Sequence, residues 1–74
     1  MLYVTGSVGK LKIRIVSVVD GDIDDAKHAA HILAANMVDD VEICQGEIVD
    51  GSPKGKAIYK IESDGYGHPV RAAA

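Results

Sequence analysis

Few residues in this chain could do chemistry: a string of carboxylates, three histidines and one thiol. Asp24, His28 and His31 are spaced by four and then three, which sets them on one side of a helix. Two imidazoles and a carboxylate suffice chemically for zinc. The usual helical chelate places its histidines four apart, however, and no cysteine lies near them in sequence. The plainer reading is a polar helix face with an Asp24–His28 pair. Asp20, Asp22 and Asp24 match the first three ligand positions of an EF-hand calcium loop. Its sixth position should be glycine and is Asp25; its twelfth should be glutamate and is His31. Gly6-Ser7-Val8-Gly9-Lys10 has the composition of a phosphate loop without the spacing, and a strand rather than a helix follows it. Cys44 would need a histidine base to act as a nucleophile. In mid-strand it reads as a small buried hydrophobe. These residues predict no catalytic group, no metal and no cofactor.

The elements that position these residues are short. Leu2–Thr5 reads as a strand and Gly6–Gly9 as a turn. Lys10–Val19 reads as a second strand, with Leu11, Ile13 and Ile15 alternating against Lys12 and Arg14. The run Val16, Val18, Val19 that follows predicts a bulge or burial of both faces. Asp20, Gly21 and Asp22 end the strand. Asp22 is a natural N-cap, and Asp24 and Asp25 fall in the first helical turn, where the dipole favours acids. Ile23, Ala26, Ala30, Leu33 and Met37 make an apolar stripe of three-four spacing, so the helix is expected to end near Met37 or Val38. Val41–Val49 reads as a strand with a bulge at Gly46. Asp50–Gly55 reads as a turn and Lys56–Ser63 as the last strand. Asp64–Pro69 reads as a loose tail. The expected fold class is α+β: a single small domain over residues 1–70, of (β)βαββ order, with one helix packed on one face of an antiparallel sheet. Residues 71–74 read as a disordered tail or a cloning scar.

Composition limits the function further. Seventy-four residues with no Phe or Trp build a core of Ile, Val, Leu, Met and Ala, with little room for a deep pocket of ~300 Å³ or more. One cysteine forms no internal disulfide, which fits a reducing cytoplasm. No apolar run reaches the ~20 residues that span a bilayer. The net charge is −3, but its distribution is lopsided. From Asp20 to Asp50 nine acids face Lys27 alone, whereas Lys10, Lys12, Arg14, Lys54, Lys56, Lys60 and Arg71 lie outside. An acidic ridge of this kind attracts a basic surface and repels nucleic acid. The candidate partner-binding residues are Asp22, Asp24, Asp25, Asp39, Asp40 and Glu42. Tyr66 joins them as an aromatic on a glycine-flanked segment.

The order strand, acid-capped alanine-rich helix, strand, turn, strand, ending in Lys56-Ala57-Ile58-Tyr59-Lys60-Ile61, resembles small phage and mobile-element proteins of the anti-CRISPR inhibitor kind. The resemblance covers Lys10–Ser63 as a pattern and carries over no functional residue. It implies stoichiometric occlusion of a basic nucleic-acid channel on a large CRISPR effector subunit. The basic strand with Lys10, Lys12 and Arg14 departs from a pure DNA mimic. The expected function is therefore a small acidic, non-enzymatic protein-binding domain. The alternatives are a nucleic-acid-binding module on the basic strands and a structural homodimer joined through an exposed sheet edge.

Overall fold

A computed structural model describes residues 1–62 and 64–70. It shows the expected α+β domain: one antiparallel sheet with a single helix on one face. The elements are β1 (Leu2–Val8), β2 (Ile13–Val19), α1 (Ile23–Ala35), β3 (Asp39–Val49), β4 (Ser52–Ile61) and β5 (Gly67–Pro69). The sheet order is β2-β1-β3-β4-β5. β2 and β3 are both antiparallel to the β1 that lies between them, so α1 links two parallel strands across β1.

The helix start follows from its sequence. Asp22 Oδ1 accepts hydrogen bonds from the Asp24 and Asp25 amides at 3.0 and 3.1 Å, and Asp25 Oδ2 accepts one from the Asp22 amide at 3.0 Å. This reciprocal capping box satisfies amides that no helical carbonyl can reach. Ala26 and Ala30, fully buried, let α1 lie close to the sheet. They meet Val4 of β1 and Val41 and Ile43 of β3, and Leu2, Val19, Leu33, Val38, Tyr59 and Ile61 pack around that cluster. On the helix face of β4, Tyr59 also receives the Lys27 ammonium, 4.9 Å from its ring centroid.

Several details differ from the expectations. The helix ends at Ala35, and the stripe does not stay apolar-in throughout: Met37 is 84% exposed. Met37 instead takes the left-handed position after the cap, with φ of 67°, while the Val38 amide bonds the Leu33 carbonyl at 3.2 Å. Gly6 is not a turn residue. β1 runs through it to Val8, and glycine is required because a Cβ there would collide with Val38 Cγ1. The turn is Gly9–Lys12, which leaves Leu11 86% exposed rather than inward. Gly46 carries no bulge, since it pairs in register with Gly55. The irregularities fall elsewhere, between Thr5 and Ser7 on the β1–β3 ladder and between Ile43 and Cys44 on the β3–β4 ladder. The β3–β4 turn is only Asp50-Gly51, both at positive φ as a type I′ hairpin requires. The supposed tail contains β5, which pairs with the end of β4. The tail or scar at 71–74 lies outside the described residues.

Met37 yields one stability prediction. A side chain in the left-handed region is strained by ~1 kcal/mol, which glycine avoids. Met37→Gly removes no buried contact, so thermal denaturation should show the Tm rising by about 4–8 °C per kcal/mol gained. An unchanged or lower Tm would contradict the capping role.

Candidate functional site

The fold divides the acidic middle of the sequence in two. Asp22, Asp24 and Asp25 sit at the start of α1, whereas Asp39 and Asp40 follow its end. Thirteen helical residues separate the groups by ~20 Å. The expected single ridge is therefore two patches. At the first, Asp22 and Asp25 are occupied by the capping box, and Gly21 leaves the room that the Asp25 carboxylate needs. The Asp24 carboxylate accepts no hydrogen bond among the described residues, and no Asp24–His28 ion pair forms there. Asp24, His28 and His31 do not converge either: no group of three or more His, Cys, Asp or Glu side chains among the described residues could hold a metal ion.

The second patch borders a cleft of about 580 Å³ where the end of α1, the start of β3, the end of β4 and the β1–β2 turn meet. Its lining includes Asp39, Asp40 and Glu62 together with Lys12 and Lys60, over an apolar floor of Ala34, Val38, Val41 and Ile61. Neither Asp39 nor Asp40 has a side-chain hydrogen bond or ion pair among the described residues, and both are exposed. The C-terminal end of α1 carries no basic residue in its last turn. The helix dipole thus adds negative potential beside the two carboxylates, with no basic side chain in that turn to offset it. Asp40 holds φ of 52° at the irregularity where β3 steps past Gly6, a backbone shape usually given to glycine.

Glu42 lies apart from this pair. The register puts it between Thr5 and Lys60, on the sheet face away from the helix. Tyr66, 70% exposed, adjoins Gly65, which lines the cleft. Its loop is ordered by Asp64, whose carboxylate accepts from the Tyr66 amide at 2.9 Å and contacts His68 Nε2 at 3.2 Å. The Tyr66 amide, and then the histidine, hold the Asp64 carboxyl below the usual carboxylate range. Of the sequence-derived candidates, the structure gathers Asp39 and Asp40 with the Tyr66 loop. It leaves Asp22, Asp24 and Asp25 at the far end of the helix and Glu42 on the open sheet face.

Two groupings were missed. Met37 reads as helix core in sequence but stands exposed just past the helix end, two residues before Asp39. On the open face, Tyr3, Thr5 and Cys44 are buried although no helix among the described residues covers them. Tyr3 reaches across the facing pair Gly46 and Gly55, with its Oη 2.6 Å from where a Gly55 Cβ would stand. The glycines at 46 and 55 were the only available signal. Thr5 Oγ1 lies 4.0 Å from Cys44 Sγ. Burial chiefly raises the Cys44 thiol above its usual range and outweighs the lowering by Thr5, so it is a poor nucleophile at neutral pH. Burial likewise raises Tyr3.

Among the described residues, no helix is long and apolar enough to cross a membrane. The chain matches no family model, no curated protein and no solved structure. What fold and site define is a class: a one-helix, five-stranded α+β domain with a mixed-charge cleft beside the helix end.

Proposed function

We propose that this chain is a non-enzymatic protein-binding domain that engages a basic surface through the rim of the helix-end cleft. One observation carries the reading. Met37, 84% exposed, stands at the helix end beside two exposed carboxylates, Asp39 and Asp40, that have no partner among the described residues. Methionine is enriched at protein interfaces, and a cation from a partner would relieve repulsion that the domain otherwise tolerates. In its sharper form the partner is a CRISPR-type effector, and the domain occupies the basic channel that would hold nucleic acid. The pattern-level resemblance to small inhibitors supports that form.

The nucleic-acid-binding alternative is less favoured, because the register sets acids opposite two of the basic strand residues. Lys60 faces Glu42 and Lys54 faces Glu47, while Lys10 and Lys12 lie in the β1–β2 turn. A lysine- and arginine-rich peptide at moderate salt is a suitable probe for both readings. Its NMR titration should shift amides around residues 37–41 and 60–65. Asp39→Lys/Asp40→Lys should remove these shifts, and Asp24→Lys should preserve them. Met37→Gly should weaken binding while raising the Tm. Shifts spread over all acidic positions, or surviving the double reversal, would defeat the reading. So would retardation of DNA or RNA by the domain alone in a low-salt gel.

A further inference from the structure

The two edges of the sheet are built differently. β5 is three residues long and ends in Pro69, which cannot donate a hydrogen bond, and both features blunt an edge. β2 has neither protection. It runs seven residues as Ile-Arg-Ile-Val-Ser-Val-Val, with no proline and one charge, and pairs with β1 in unbroken register from Leu2–Val19 to Val8–Ile13. Among the described residues no strand pairs with its other side. Along it Ile13, Val16 and Val18 are 61%, 41% and 54% exposed. These valines read in sequence as a bulge or doubly buried segment; in the fold they are neither, because β2 is the edge.

We propose that β2 is the interface for a second copy of this chain, paired antiparallel about a two-fold axis at Val16. Charge selects that occupant and that register. The strand is basic before it, at Lys10 and Lys12, and acidic after it, at Asp20 and Asp22. Centring the pair on Val16 sets Val16 against Val16 of the partner subunit. It also brings Lys12, the last residue of the turn before the strand, to the end where Asp20 of the partner subunit leaves it. A parallel pairing in the same register would oppose like charges, which directly facing strands disfavour. Along the strand, Arg14 meets an apolar valine position and no second arginine. Val16 and Val18 lie in register with Thr5 and Tyr3 on the open face, so that face continues across the axis as an apolar strip. The result is one ten-stranded sheet with a helix on each half, on the same side, because a two-fold normal to the sheet preserves its faces. Lys12 borders both this surface and the Asp39–Asp40 cleft, but Val16 lies outside the cleft, so the Val16 variants test this reading alone.

Sedimentation of the full chain tests it, with a species of twice the 7.8-kDa chain mass as the expected result. Val16→Lys places like charges face to face and should weaken dimerisation about tenfold or more, with circular dichroism confirming the fold. Lys12→Glu and Asp20→Lys should each weaken it, and the double charge swap should restore it. Restoration is the outcome that a merely structural role would not give. Val16→Cys should also cross-link under mild oxidation, since paired Cα atoms lie ~4.5–5.5 Å apart. Val18→Cys should not, because its copies would be ~13 Å apart along the strands. A wild-type monomer at NMR concentrations, a dimer indifferent to Val16→Lys, or equal cross-linking at both positions would overturn the proposal. The first of these outcomes would leave the edge to a strand from another protein.

Discussion

Ile43→Ala should remove a large share of the stability of this domain. Ile43 is fully buried, in the middle of β3, and it touches every layer of the small core. The register puts it between Val4 of β1 and Tyr59 of β4, and Ala26 and Ala30 of α1 close over the same cluster. Truncating a buried isoleucine to alanine costs ~2–5 kcal/mol, and the high end applies where neighbours cannot collapse into the cavity. Here the helix contacts are alanines, too short to fill the gap, and the sheet contacts are fixed by hydrogen bonding. A domain of this length holds only ~4–11 kcal/mol in total at ~0.05–0.15 kcal/mol per residue. Thermal unfolding by circular dichroism should therefore show the midpoint falling by ~16 °C or more for a loss of ~4–5 kcal/mol. Ile32→Ala is the internal control. Ile32 is half exposed on the outer side of α1, and alanine is the better helix former, so its midpoint should stay within a few degrees. Equal losses at both positions would mean that Ile43 is not the centre of the core.

That core was legible because its cues are local. A capping aspartate, acids in the first turn and alanines at three-four spacing specify α1 within one short window, and the structure keeps that start at Asp22. Alternation within Val41–Val49 sets Val41 and Ile43 on one face, and that face meets α1. What escaped depends on partners distant in sequence. Gly6 carries a turn signal in its own neighbourhood, yet it lies within a strand because Val38, thirty-two residues later, packs where its Cβ would be. β5 has no strand signal of its own and exists because β4 offers it an unpaired edge. The left-handed positions at Met37 and Asp40 carry none of the usual glycine punctuation.

The candidate site was legible as residues but not as a place. Asp39 and Asp40 can be singled out from sequence, because acids past a helix end oppose the dipole and only the helix boundary is needed. Their separation from Asp22–Asp25 follows from helix rise. Their association with Lys12, Lys60 and the Tyr66 loop does not, since it requires the strand order β2-β1-β3-β4-β5. The cross-over that places β3 beside β1 brings the β1–β2 turn and the end of β4 to the same end of the sheet.

Tyr3→Ala should have the second largest effect, and it tests a core that lies on the opposite face from the helix. Tyr3 is 2% exposed, so its ring is covered by the sheet itself. Gly46 and Gly55 face each other on β3 and β4, and the hydroxyl end of Tyr3 lies against Gly55, where any side chain would displace it. Removing a buried aromatic costs ~3–5 kcal/mol, and the low end applies here because water can enter from the open face. Tyr3→Phe should be close to neutral, because no hydrogen bond to its hydroxyl is found among the described residues. Gly55→Ala probes the same contact from below. Its added methyl meets the Gln45 carbonyl at 2.5 Å and Tyr3 Oη at 2.6 Å, so it should destabilise by ~1–3 kcal/mol. The two clashes separate in a double-mutant cycle. In the Tyr3→Ala background the clash with the ring is gone and the one with the Gln45 carbonyl remains, so Gly55→Ala should cost less there but not nothing. Strict additivity would mean that ring and glycine do not touch, and the open face would then owe its buried Thr5 and Cys44 to some other cover.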